Sequence, residues 1–156
     1  MSFKTIEELE LSEIMGIKGA ADLELSSLQD FFRRLEKDSD PEDTSIVDSS
    51  YSSSFLFGDP DSANAVKKED FLKFLPQIAG IYQKMGFQKK ELDSLKAIKL
   101  GADYILLHVR WKMFFRNGGN DRILDNIRAS YILKQDTGNN YQIILQLDHQ
   151  KLGELI

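Results

Sequence analysis

The chain of 156 residues contains no cysteine, which excludes disulfide staples, thiol redox chemistry and Cys-based zinc sites. Its only two histidines, His108 and His149, do not form a pair at metal-ligand spacing. There is no phosphate-cradling glycine loop and no Ser-His-Asp constellation, so neither metal nor cofactor is expected. No stretch approaches the ~20 apolar residues of a membrane span. The opening Met1-Ser2-Phe3-Lys4-Thr5-Ile6-Glu7-Glu8 carries acids where a signal peptide needs an apolar run. A soluble, cytoplasmic, single-domain protein is expected, long enough to bury a core without metal or disulfide support.

Positive charge is scarce in the first part of the chain. Residues 1–66 hold 15 Asp and Glu against 5 Lys and Arg, and residues 67–156 hold 10 against 15. The basic residues of the second part are spread over several predicted elements with no stacking motif beside them, which argues against nucleic acid as a partner. The asymmetry suits attraction between the two halves of one fold or between two copies of it.

What the chain does have is a long strand pattern from Tyr104 to Arg116. Ile105, Leu107, Val109, Trp111, Met113 and Phe115 alternate onto one apolar face that must be buried. The opposite face mixes Tyr104, Leu106, His108, Arg110, Lys112, Phe114 and Arg116. Period-two patterns also predict strands near 92–100, 123–135 and 141–149, with turns at Gly101, at Asn117-Gly118-Gly119-Asn120 and at Thr137-Gly138-Asn139-Asn140. Short connections make these four strands an antiparallel meander. Ile127, Ala129, Tyr131 and Leu133 share one face of the third, and Tyr141, Ile143, Leu145, Leu147 and His149 share one face of the last.

Ahead of the strands the periodicity is helical. Thr5-Ile6-Glu7-Glu8 is a capping box for a helix over about 6–15, with Gly16 as its stop. Ser26-Ser27-Leu28-Gln29 reads as a second cap, with Leu28, Phe31, Phe32 and Leu35 forming an aromatic-rich buried stripe and Arg33, Arg34 and Lys37 facing water. Asp40-Pro41-Glu42-Asp43 reads as a third start. The serine-rich stretch 45–54, spaced by Ile46, Val47 and Tyr51, favours a helix over a linker. Phe55-Leu56-Phe57 is a short strand entering a Gly58-Asp59-Pro60-Asp61 turn. Lys67 to Met85 is the longest helix, with Gly86 as its stop and a kink or break expected near Pro76. An apolar sheet face preceded by amphipathic helices defines an α+β fold, the helices covering the concave face of a curved antiparallel sheet.

Phe55-Leu56-Phe57-Gly58-Asp59-Pro60 leading into Val66-Lys67-Lys68-Glu69-Asp70-Phe71, then Val109-Arg110-Trp111-Lys112-Met113-Phe114, then Leu145-Gln146-Leu147-Asp148-His149-Gln150 follow one another in an order that resembles the nuclear transport factor 2-like superfamily. The resemblance covers about residues 26–150 and leaves 1–25 as an N-terminal helical extension. It implies a cone-shaped α+β barrel, SnoaL-like or ketosteroid isomerase-like, with a pocket between sheet and helices and a homodimer through the outer sheet face. Relatives of that type include isomerases, dehydratases and cyclases as well as scaffolds without catalysis, so fold alone does not choose the function.

Candidate residues follow from chemistry. His149 continues the apolar alternation of the last strand to the pocket mouth, where imidazole is a general base or a strand-end structural group; Asp148 then points the other way. Tyr131 and Tyr51 are oxyanion donors or buried hydroxyls satisfying backbone groups. Asp59 is a proton abstractor or a turn former. Phe31, Phe32, Tyr51, Phe55, Trp111 and Tyr131 are expected to enclose a small apolar or aromatic ligand. Tyr104, His108, Arg110 and Phe114 are expected at the dimer interface, an aromatic and arginine composition common in such contacts. Three functions fit: a small-molecule binding protein, a cofactor-free isomerase, dehydratase or cyclase working by proton transfer, or a non-catalytic dimeric interaction module.

Overall fold

The computed structural model describes residues 18–40, 42–137 and 140–151, with side-chain surroundings from residue 25 onward; the capping box at Thr5 and the helix expected over 6–15 lie outside them. Helix α1 spans Lys18–Arg34 and runs into a 3-10 turn, Leu35–Lys37. Helix α2 is Ser45–Ser50, strand β1 Tyr51–Gly58, strand β2 Ala63–Lys67 and helix α3 Lys68–Lys84. Strands β3 (Phe87–Leu100), β4 (Tyr104–Asn117), β5 (Asn120–Gln135) and β6 (Tyr141–Asp148) complete the chain. They form one curved, unclosed sheet in the order β2-β1-β6-β5-β4-β3. All neighbours are antiparallel except β1 and β6, which are parallel because the chain returns to β1 by way of the whole meander. The α+β architecture and the four-strand meander are as the sequence predicts.

Several boundaries differ for identifiable reasons. Ser26 and Ser27 lie inside α1 and cap nothing; apolar Leu28, Phe31 and Phe32 hold that stretch helical by packing. Asp40 does not start a helix: its Oδ1 accepts from the Glu42 N–H in an Asx turn, and α2 begins at Ser45, whose N–H donates to Asp43 Oδ1. The serine tract divides: Ser45–Ser50 is helical, but from Tyr51 the chain is extended, since β6 and β2 offer ladder partners on either side of it. Strand β2 has no apolar alternation, being exposed at all but Val66, and the sequence gives no sign of it. Helix α3 runs unbroken through Pro76. It ends where the Gly86 N–H donates to Gln83 O, with Gly86 at φ +81°. Strand β3 begins at Phe87 and β5 at Asn120, earlier than expected, because the long β4 supplies partners to both.

The core lies between the concave face and α1 and α3. Ile105, Leu107, Val109, Trp111, Met113 and Phe115 are all buried, with Ala129, Tyr131, Leu133, Tyr141 and Ile143 beside them. Phe32 seals the centre, edge-on to Tyr131 at 4.9 Å and tilted on Trp111 at 6.2 Å. Phe71 of α3 covers β1, stacked on Tyr51 at 5.4 Å. A smaller cluster of Tyr82, Phe87 and Phe115 closes the end where α3 enters β3.

Candidate functional site

Strand β6 carries the feature that shapes the site. Leu133 pairs with Ile143 and Ile132 pairs with Leu145, so the ladder skips one residue at Ile144. Such a bulge inverts which face every later side chain meets. Before it Tyr141 and Ile143 point into the core; after it Gln146, opposite Tyr131, and Asp148, opposite Ala129, point inward. Leu145, Leu147 and His149 are thereby turned outward. The sequence expectation is reversed here: Asp148 faces the cavity, and His149 lies on the convex side, where its Nε2 is 2.8 Å from Ser130 Oγ.

A cavity of about 290 Å³ opens between the sheet and α3. Tyr51, Phe71, Trp111, Met113, Tyr131 and Ile127 supply apolar wall, and Asp38, Asp59, Lys90, Gln146 and Asp148 supply polar groups. The Tyr51 hydroxyl donates to Gln146 Oε1 at 2.5 Å, and Gln146 Nε2 donates to Asp148 Oδ1 at 3.0 Å. No described protein group bonds Asp148 Oδ2. Burial pushes the Asp148 carboxyl above its ordinary value; the Gln146 hydrogen bond and the Lys90 ammonium pull it partly back, while Asp38 pushes it further up. The result is a carboxyl that holds its proton more tightly than a surface aspartate, with one oxygen left for a ligand. Burial likewise raises the Tyr51 and Tyr131 hydroxyls, which stay neutral donors at any physiological pH. Also on the cavity wall, Lys90 bridges Asp38 at 2.9 Å and places its ammonium 4.4 Å from the Trp111 ring centre.

Of the residues singled out in the sequence, Tyr51, Tyr131, Trp111 and Asp59 stand on the cavity wall. Asp59 is also a turn former, its Oδ1 accepting from the Asp61 and Ser62 N–H groups at 2.8 and 3.2 Å. Phe31, Phe32 and Phe55 do not line the cavity; they are buried in the core behind it. Tyr104, His108, Arg110 and Phe114 lie on the convex face, as the alternation of β4 requires. Sequence reasoning misses Gln146, Asp38 and Lys90. The polar alternation Gln146-Leu147-Asp148 is visible in the sequence, but without the bulge it faces the wrong way; Asp38 and Lys90 are far apart in sequence and meet only in the fold. Among the described residues no cluster of three His, Asp or Glu could hold a metal ion, and no helix is long and apolar enough to cross a membrane.

No protein-family profile and no curated protein sequence matches the chain. Solved structures do. An NTF2-like protein with a cystatin-like fold from Novosphingobium aromaticivorans superposes with a TM-score of 0.68 at 7% identity, covering 91% of both chains. An NTF2-like superfamily protein from Salmonella enterica serovar Typhimurium gives 0.59 at 13% identity, over 85% of this chain and 96% of its own. A protein from Catenulispora acidiphila, solved in complex with S-DNPA, gives 0.61 at 11% identity, over 81% and 91%. At such low identity the likeness carries the fold and nothing finer. With its helices laid on the concave side of a curved six-stranded sheet, this chain has the nuclear transport factor 2-like fold.

Proposed function

We propose that the protein binds a small, mainly apolar molecule in the cone cavity, and that Asp148 recognises its one polar group. The observation that carries this reading is the inward Asp148 carboxyl, raised by burial, hydrogen-bonded on one oxygen and open on the other. A packed interior would have no use for such a group, since burying a carboxyl costs free energy that apolar residues would avoid. The volume, about 290 Å³, sits at the small end of ligand pockets and suits a one- or two-ring compound with a carbonyl or hydroxyl. The Catenulispora protein of the same fold in complex with S-DNPA supports a small-molecule role.

Trp111, the only tryptophan, lies on the wall and reports occupancy by its fluorescence. A panel of aromatic ketones and phenols titrated against that signal is expected to yield saturable binders that Asp148→Leu loses and His149→Ala keeps. Equal binding by Asp148→Leu, checked for native circular dichroism, would overturn the assignment. A catalytic version follows from the same carboxyl, whose raised pKa suits proton exchange with a bound ligand while the Tyr51–Gln146 pair fixes its orientation. Asp148→Asn should then abolish turnover of a bound ketone, and turnover that survives refutes catalysis by this group.

Self-association through the convex face is the second reading, favoured by exposed Leu56, Leu100, Tyr104 and Ile123 on the strands. Tyr104→Lys should lower the sedimenting mass; an unchanged mass refutes this interface.

A further inference from the structure

The convex face holds a group of polar side chains of which only Arg128 also borders the cavity. Arg110 of β4 lies directly opposite Arg128 of β5, and the next pair of that face is His108 opposite Ser130. Ser130 in turn bonds His149 of β6, whose ring centre is 5.1 Å from that of His108. Like charges directly opposite on adjacent strands are destabilising. Elsewhere on β4 this is relieved, Lys112 by Asp125 at 3.6 Å and Arg116 by Asp121 at 2.7 Å. Arg110 and Arg128 have no ion pair among the described residues. His108 Nδ1 is buried without a hydrogen-bond partner. Two arginines directly opposite each other without an ion pair are a costly arrangement for the empty protein, and an anion between them would offset their repulsion.

We propose that Arg110, Arg128, His108, His149 and Ser130 form a binding site for a doubly charged tetrahedral oxyanion, a phosphate group, on the convex face of the sheet. The two forks supply planar paired donors suited to phosphate oxygens. Ser130 adds a hydroxyl, and each imidazole adds a donor once protonated. The charge balance favours a dianion over a carboxylate, since four groups of positive or potentially positive charge converge. Burial, the partner histidine, Arg128, Arg110 and Lys96 hold His108 below its ordinary value, and burial and Arg128 do the same for His149. Asp148 is on the other face of the sheet and does not offset them. A bound dianion reverses the sign of that field, so it raises the midpoint of both histidines. Arg128 also borders the cavity, whereas Arg110, His108, His149 and Ser130 do not.

With only two histidines, the ring resonances of the full chain give both titration curves directly by NMR. The curves are recorded in inorganic phosphate, in phenyl phosphate and in chloride at matched ionic strength. Both midpoints are expected to rise by about half a pH unit or more in a phosphate over chloride. A larger rise in phenyl phosphate assigns a phosphomonoester as the ligand; a larger rise in inorganic phosphate assigns the free ion. In the double variant Arg110→Gln, Arg128→Gln, exposed positions that do not threaten the fold, the phosphate effect should vanish and both midpoints in chloride should move up. Midpoints identical in all three salts, or a phosphate effect that persists in the double variant, would overturn the site.

Discussion

Replacing Trp111 with alanine tests the packing of the cone and the cavity at once. The indole is 3% exposed and rests on Phe32 at 6.2 Å, with the Lys90 ammonium 4.4 Å from its ring centre. Truncating a fully buried Trp or Phe costs about 3–5 kcal/mol, from lost transfer energy and the void left behind. Trp111 already borders open space on one side, so fewer atoms lose contacts and the lower end of that range applies. The cation–π contact adds about 1 kcal/mol, between the exposed and desolvated limits, since the Lys90 side chain is 13% exposed. The Lys90–Asp38 ion pair is untouched and contributes no further loss. A total of about 3–4 kcal/mol is expected, a large share of the roughly 5–15 kcal/mol stability of a domain this size. Urea unfolding followed by far-ultraviolet circular dichroism, which needs no tryptophan signal, gives the value from the midpoint at unchanged slope. Phe32→Ala, with the ring 0% exposed, should cost at least as much. A loss below about 1.5 kcal/mol for Trp111→Ala would refute the packing argument, because no buried indole truncation of this kind is that mild.

Two further outcomes are expected. Since Asp148 has a folded-state pKa above its ordinary 3.8, the native state holds the proton more tightly than the unfolded chain. Its contribution is fully present below the unfolded value and is lost as pH rises through the folded one. Asp148→Asn should therefore gain stability relative to the parent on going from acid to neutral pH, and a parallel pair of midpoint-against-pH curves would refute the burial argument. Gly86→Ala places a Cβ 2.1 Å from Arg116 O at φ +81°, and should cost about 3 kcal/mol in urea from strain and clash. Gly80→Ala, mid-helix with nothing within 4 Å, should instead stabilise by about 0.5–1 kcal/mol. Equal effects at the two glycines would refute the reading.

Period-two alternation placed every inward residue of β4 correctly, and helical spacing found the Leu28, Phe31, Phe32 and Leu35 stripe, because in both cases burial is imposed by side chains in one continuous element. Strand β2 was not legible, since its residues are held by main-chain pairing with β1 and carry no apolar signal. The spacing of Tyr51 from Val47 predicts a helix, and only the neighbouring strands pull it into the sheet. Asp38 and Lys90 meet across the cavity rim through folding alone.

The sequence by itself determined the α+β class, the order of helices before a meander, and the apolar surface that must be covered, because these follow from the periodicity of side chains along one segment. Tertiary structure alone decided which end residue of β6 enters the cavity. Ile143-Ile144-Leu145 is an unbroken apolar run whose own pattern does not say where the ladder slips. The slip is set by pairing with β5 on one side and with β1, itself irregular between Tyr51 and Leu56, on the other. That one-residue slip exchanges Asp148 for His149 inside the cone, and with it a half-buried carboxyl for an imidazole.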